Sequence, residues 1–281
     1  MEYLMTYGWA ILIIAVVLGA LFQLGVFNSS SFSPRAPPGA CQVFRPSGPG
    51  TVTNINLMGV CTGQLPQYVG VFNGASGYVD SGNGAGLNMI NEITLAAWAK
   101  PNGGQYVSSY AIAKGVYNTE AYAMDFWNSG PNPYGFSMVF TTSVNGRVYP
   151  YIANAWTPNQ WQFFVITYTS GHLGFYRNGI LLQDNTGYTG TISTTTSNLL
   201  LGRVFGQNYY FNGTISNVQI YNASLSANQV QALYLEGMGG APMKLQNLMG
   251  WWPLNGNSND YSGNNNNGVP TAVTFTSQYG K

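Results

Sequence analysis

The chain has 281 residues, 45% hydrophobic and 15% aromatic but only 6% charged, with 36 glycines and a formal net charge of +1. So weak a charge supplies no basic field to gather phosphates, which argues against nucleic acid as a partner. Neutral hydrogen-bonding side chains must wet the surface, and few carboxylates are left to protonate, so the composition predicts an acid-tolerant exterior protein.

The first element is apolar. From residue 3 to residue 27 there is no charge, and the stretch 9–21 is hydrophobic on every side. A helix without a polar stripe has to be buried in lipid or in protein, and about 25 residues reach roughly 38 Å, enough for a bilayer. No basic n-region or small-residue cleavage site marks a signal peptide. Hydropathy alone leaves a permanent membrane anchor open. The string Met1-Glu2-Tyr3-Leu4-Met5-Thr6-Tyr7-Gly8-Trp9-Ala10-Ile11 resembles the mature N-terminus of archaeal type IV pilin-like proteins. That resemblance implies a membrane-inserted precursor, later withdrawn into an extracellular helical filament whose main partner is further copies of itself. Glu2 would take the part of the family's N-terminal acid, although the family places it fifth and this chain second. Tyr3, Gly8, Trp9, Ile13, Val17 and Leu21 would complete the assembly surface, the glycine permitting close helix approach.

Residues 28–40 are rich in Ser and Pro and read as an extended linker. Cys41 and Cys61 are the only cysteines. An even count in an exported chain favours a disulfide, worth roughly 3 kcal/mol for a loop of about 20 residues, with two free thiols as the alternative. The expected domains are therefore an assembly helix over 1–27, the linker, and a head over 41–281.

Beyond residue 65, short runs rich in Val, Ile, Tyr, Phe and Thr are broken by Gly, Asn and Pro, the rhythm of an antiparallel sandwich. Strands are predicted over 68–72, 93–100, 109–114, 122–127, 135–141, 161–169, 172–177, 199–204 and 213–221. Asn178-Gly179 marks a hairpin turn, and Ser226 with Gln229 marks the start of a short helix over 226–235.

The strings Val71-Phe72-Asn73-Gly74, Ile93-Thr94-Leu95-Ala96-Ala97-Trp98, Trp161-Gln162-Phe163-Phe164-Val165, Phe175-Tyr176-Arg177-Asn178-Gly179 and Phe211-Asn212-Gly213-Thr214-Ile215 resemble the laminin-G-like jelly roll of the concanavalin A-like lectins and glucanases. Gly250-Trp251-Trp252-Pro253-Leu254 resembles the opening strand of such domains but closes this chain, which implies circular permutation with the final strand drawn from 250–281. The expected fold class is thus a long hydrophobic N-terminal α-helix followed by a circularly permuted, all-β antiparallel jelly-roll sandwich.

The superfamily includes glucanases, and glycoside hydrolysis needs two carboxyl groups flanking one bond. None of the eight acids forms a same-face pair two or four residues apart, and His172 is the lone histidine, so no enzyme is expected. No cofactor is required. Asp80 and Asp260 are candidate calcium ligands, although Asn73 stands where relatives carry an acid. Trp127, Tyr134, Tyr209 and Tyr210 are candidate glycan contacts, with packing in the sandwich as their alternative role. Asn28, Asn212 and Asn222 open glycosylation sequons. The leading function is a filament subunit displaying an adhesive head. A non-polymerising, membrane-anchored surface lectin is the alternative, and an anchored glycanase the third.

Overall fold

A computed structural model describes residues 13–18, 40–48, 51–58, 65–130 and 133–277. The chain divides into two compact units, Met1–Gln42 with Ile55–Cys61, and Val43–Asn54 with Thr62–Lys281, each considered by itself. Strands β1 (Ala40–Gly48) and β2 (Thr51–Met58) form a two-stranded sheet of their own.

The remaining strands are β3 (Val69–Asn73), β4 (Tyr78–Asp80), β5 (Glu92–Pro101), β6 (Ser109–Lys114), β7 (Tyr122–Trp127), β8 (Gly135–Thr142), β9 (Gly146–Val148) and β10 (Tyr151–Ile152). They continue with β11 (Gln162–Thr169), β12 (His172–Arg177), β13 (Ile180–Asn185), β14 (Leu199–Leu201), β15 (Asn212–Tyr221), β16 (Leu248–Trp252), β17 (Val269–Thr271) and β18 (Thr274–Thr276). A front sheet runs β10-β8-β7-β6-β14-β4-β17, with β9 paired to β8. A back sheet runs β13-β12-β11-β5-β15-β3-β18, with β16 paired to β15. All strand pairs of these two sheets are antiparallel, and the sheets make a jelly-roll sandwich.

Period-two alternation fills the space between the sheets. Phe126 on β7 and Phe136 on β8 meet Phe164 on β11 at 4.8 and 5.0 Å between ring centroids, and Phe136 meets Phe175 on β12 at 5.6 Å. All four rings are fully buried, each contributing about 1.5–3 kcal/mol by leaving water. At the predicted hairpin, Asn178 and Gly179 both take positive φ, 52° and 78°, joining β12 to β13 in the left-handed conformation that a two-residue turn requires.

The outer surface of the back sheet is covered. The helix α1 (Ala227–Glu236) begins at Ser226, whose backbone N–H donates to Gln229 Oε1 at 3.0 Å in a capping box. Its Val230 and Leu233 join Phe163, Val165, Tyr176 and Trp251 in one buried cluster, and Tyr234 stacks on Trp98 at 5.6 Å. The closing segment is part of this sandwich, since β16 pairs with β15 and places Trp252 in the central core.

The long N-terminal helix is corrected. Among the described residues no helix is long and apolar enough to cross a membrane, and the fold is an all-β antiparallel sandwich carrying the short helix α1. Ahead of β1, the described residues 13–18 are helical, with their side chains exposed. The apolar run 9–21 reports a preference for leaving water, which by itself sets neither helix length nor the surroundings that would hold it.

Candidate functional site

Among the described residues no helix covers the outer surface of the front sheet. Along β7, Tyr122, Met124 and Phe126 enter the core while Ala123, Asp125 and Trp127 face outward. On β8, Phe136, Met138 and Phe140 enter it while Ser137 and Val139 face outward. Of these outward groups, Asp125, Ser137 and Val139 floor a cleft of about 500 Å³, and Trp127 stands at its side. Its walls are Val107, Ser108 and Tyr110 from the approach to β6 and from β6 itself, Tyr117 from the β6–β7 connection, Arg147 from β9, Tyr149 from the β9–β10 link and Tyr151 from β10.

Trp127 is placed by a glycine. A Cβ at position 135 would collide with the indole, so only Gly135 lets the ring lie against β8. Tyr151 meets that ring edge-on, with centroids 5.1 Å apart and planes at 71°. Tyr149 and Tyr151 are exposed, whereas Trp127 is half-buried, so the cleft has a firm aromatic wall and a solvent-facing rim.

Two buried carboxylates lie beneath this surface, in different environments. Glu120, with no exposed side-chain surface, accepts from Arg147 Nε at 2.7 Å, from Arg147 Nη2 at 3.2 Å and from the Tyr110 hydroxyl at 3.1 Å. The Arg147 guanidinium also lies over the rings of Tyr117 and Tyr149, 5.4 and 5.9 Å from their centroids. The hydrogen bonds to Glu120 raise its pKa above the ordinary value, so it stays charged. Asp125 has no cation of its own. Oδ1 accepts from the Ser109 backbone N–H at 2.7 Å, and Oδ2 accepts from the hydroxyls of Ser108 at 2.8 Å and Ser137 at 3.4 Å. Burial pushes its carboxyl up to about 7, outweighing these three donors, with the nearby Glu120 charge adding to the rise. Burial, followed by Asp125 and Glu120, also raises the Tyr110 phenol far above its usual range.

Of the four aromatic candidates named from sequence, only Trp127 lines the cleft. Tyr134 packs edge-on against Trp156 at 4.9 Å beside the core. Tyr209 sits against Tyr106, Tyr110 and Tyr117, one layer behind the wall. Tyr210 is occupied by Arg203, whose Nη1 donates to its hydroxyl at 2.9 Å. Asp80 accepts from Asn198 Nδ2 and the Gly82 N–H, and Asp260 accepts from the N–H groups of Trp251, Ser262 and Asn266. Asp80 thus ties β4 to Asn198, Asp260 ties its loop to β16, and both carboxylates already serve protein donors. Among the described residues no group of three His, Cys, Asp or Glu could hold a metal.

Asn212 is half-buried with its Oδ1 taken by Asn102, while Asn222 is exposed. His172 is an exposed partner of Asp184 at 3.1 Å. Ile13 and Val17 are exposed, and Cys41 lies in β1. Glu2, Tyr3, Gly8, Trp9, Leu21, Asn28 and Cys61 lie outside the described residues, so the assembly surface and the Cys41–Cys61 pairing stay expectations. What the sequence reading passed over is Asp125, Tyr110, Tyr117, Arg147, Tyr149 and Tyr151. Asp125 stands two residues before Trp127 on a predicted strand, and Arg147, Tyr149 and Tyr151 repeat at the same interval; that spacing, which puts residues on one face, was the available signal.

A family model described as the concanavalin A-like lectin/glucanases superfamily matches residues 73–231, more than half of the chain. No curated protein matches the sequence. Among solved structures, the chain is similar to a "putative carbohydrate binding protein" from Bacteroides ovatus ATCC 8483, with a TM-score of 0.61 and 16% identity. The match covers 82% of this chain but 64% of that one, so this chain spans less than two thirds of its length. A native heptameric SAP-like pentraxin from Limulus polyphemus gives a TM-score of 0.54 at 12% identity, over 77% of this chain and 97% of the other. At such identities the likeness establishes the fold. Neither the family match nor these structures support the pilin resemblance read at residues 1–11.

Proposed function

We propose that this chain, which belongs to the concanavalin A-like lectin/glucanases superfamily, is a non-catalytic, lectin-like module that binds a saccharide outside the cell. The observation that carries the reading is the open cleft of the front sheet, where Trp127, Tyr149 and Tyr151 stand around the polar groups of Asp125, Ser108 and Ser137. A sugar has apolar C–H faces and a rim of hydroxyls. Aromatic rings suit the first, and fixed hydroxyl and carboxylate groups suit the second. The volume falls within the ordinary range for small-ligand sites.

Binding without turnover follows from the carboxylates. Glycoside hydrolysis uses two carboxyl groups, one on each side of the bond. Asp125 is the single carboxylate lining the cleft among the described residues, while Glu120 is sealed under Arg147 and Tyr110. The name of the Bacteroides ovatus protein agrees with a carbohydrate ligand. The polymerising-subunit reading draws on none of these features, and the surface lectin takes its place.

The test is a glycan array probed with the full chain, followed by calorimetric titration of the strongest hit into wild type and Trp127→Ala. At least a ten-fold loss of affinity in the variant, with thermal unfolding little changed, is expected. Undiminished binding by the variant would place the saccharide elsewhere and end this assignment.

A further inference from the structure

We infer that the cleft selects uncharged saccharides and rejects acidic ones, with Asp125 as the residue that discriminates. This rests on the glycan-binding reading above and adds the class of ligand. The groups that bear on the site are Tyr110 on β6, Tyr117 and Glu120 in the β6–β7 connection, Asp125 on β7, Arg147 on β9, and Tyr149 and Tyr151 at and before β10.

The only cation among them is already committed. Both Nε and Nη2 of Arg147 bond to Glu120, and its guanidinium is flanked by Tyr117 and Tyr149. That pair is neutral taken together, so an ionised Asp125 leaves the cleft with one uncompensated negative charge. A carboxylate offers about four acceptor positions, and three protein donors reach this one: the Ser108 and Ser137 hydroxyls and the Ser109 N–H. Once ionised, above about pH 7, Asp125 acts toward its surroundings only as an acceptor. A ligand that completes its shell must therefore bring a donor, which a saccharide hydroxyl does. A uronate, sialate or sulfate would instead set a like charge against a buried carboxylate, where screening by solvent is weak.

The discrimination should relax in acid, because burial holds the Asp125 proton up to about pH 7 whereas sugar carboxylates stay ionised well below that. The full chain is tested on an array pairing lactose with sialyllactose and galacto-oligosaccharides with oligogalacturonates, at pH 8 and pH 5, alongside Asp125→Asn. At pH 8 the wild type should favour the neutral member of a recognised pair by about ten-fold or more. At pH 5 that ratio should shrink several-fold, and in Asp125→Asn it should be small at both pH values.

An acidic member bound as well as its neutral partner by wild type at pH 8 overturns the inference and leaves the glycan reading intact. So does a ratio that Asp125→Asn retains in full. No binding to any glycan at either pH overturns the glycan reading, and the inference falls with it. The wild-type pH series stands even if the variant folds poorly.

Discussion

Asp125→Asn is also the sharpest test of the electrostatics within the fold. The carboxyl rises from an ordinary value of 3.8 to about 7 because burial disfavours its charged form. About three pH units at 1.36 kcal/mol each makes the contribution on the order of 4 kcal/mol, a large part of the ~5–15 kcal/mol that holds a typical domain together. The sign follows from proton counting. Between pH 4 and 7 the folded chain holds a proton that the unfolded chain has released, so this contribution is full below the unfolded value and is lost as pH rises through about 7. Asparagine keeps an oxygen for the Ser109 N–H and turns an amide toward the Ser108 and Ser137 hydroxyls, which can accept, so the shape and most of the hydrogen bonding survive. Urea unfolding of both proteins at half-unit steps from pH 4 to pH 8 isolates the term, since every other carboxylate is common to the two. The stability of wild type minus that of the variant should fall across the window by about 4 kcal/mol. A difference that is flat, or that grows with pH, refutes the reasoning.

Other changes test neighbouring parts of the argument. Gly135→Ala should force the Trp127 indole off β8, weakening saccharide binding by about ten-fold or more in calorimetric titration while lowering stability by only about 1–3 kcal/mol, the usual cost of overpacking. Arg147→Ala should destabilise by about 3–5 kcal/mol in the same urea assay, because it leaves the fully buried Glu120 without its cation; a loss below 1 kcal/mol would mean that water replaces the guanidinium. Gly179→Ala should lower stability by about 1–2 kcal/mol, since φ there is +78° and the added Cβ would come within 3.1 Å of Tyr234. An unchanged unfolding midpoint would contradict the hairpin geometry.

The legibility of this fold in its sequence depended on element length. Strands expected over 109–114, 122–127 and 172–177 match β6, β7 and β12 residue for residue, because six alternating positions between Gly, Pro and Asn breaks are an unambiguous signal. The strand expected over 199–204 stops at Leu201, since Gly202 takes φ 88°, outside the strand region, at a position where a Cβ would also strike the ring of Phe72. Strands β9 and β10 have three and two residues, too few for periodicity to register, yet they carry Arg147 and Tyr151 into the cleft wall. The aromatic candidates were chosen for their place in polar loops, a criterion blind to which sheet surface stays open. That depends on where the chain sends α1, a tertiary fact. Hydropathy at the N-terminus was legible too, but it describes a transfer preference, and the length of helix it suggested is not part of the described fold.

The inequality of the two faces follows from connectivity. Between β15 and β16 the chain has 26 residues, enough to lay α1 across the back sheet and return. The front sheet is joined by much shorter links at β7–β8, β8–β9 and β9–β10, none long enough to cross its outer surface, so among the described residues the cleft is left uncovered as a consequence of topology. The walls of that cleft are correspondingly cheap to alter. Tyr149 is 64% exposed and Tyr151 44%, on segments that place little in the core, whereas Phe126, Phe136 and Phe140 beneath them are fully buried. Exchanging the two tyrosines for other aromatic or polar residues should therefore change which saccharide is held while shifting stability by no more than about 0.5 kcal/mol each. Combining such variants with Asp125→Asn separates the two sources of selectivity, because rim exchanges should alter the preferred neutral sugar while only the loss of the buried charge should admit an acidic one.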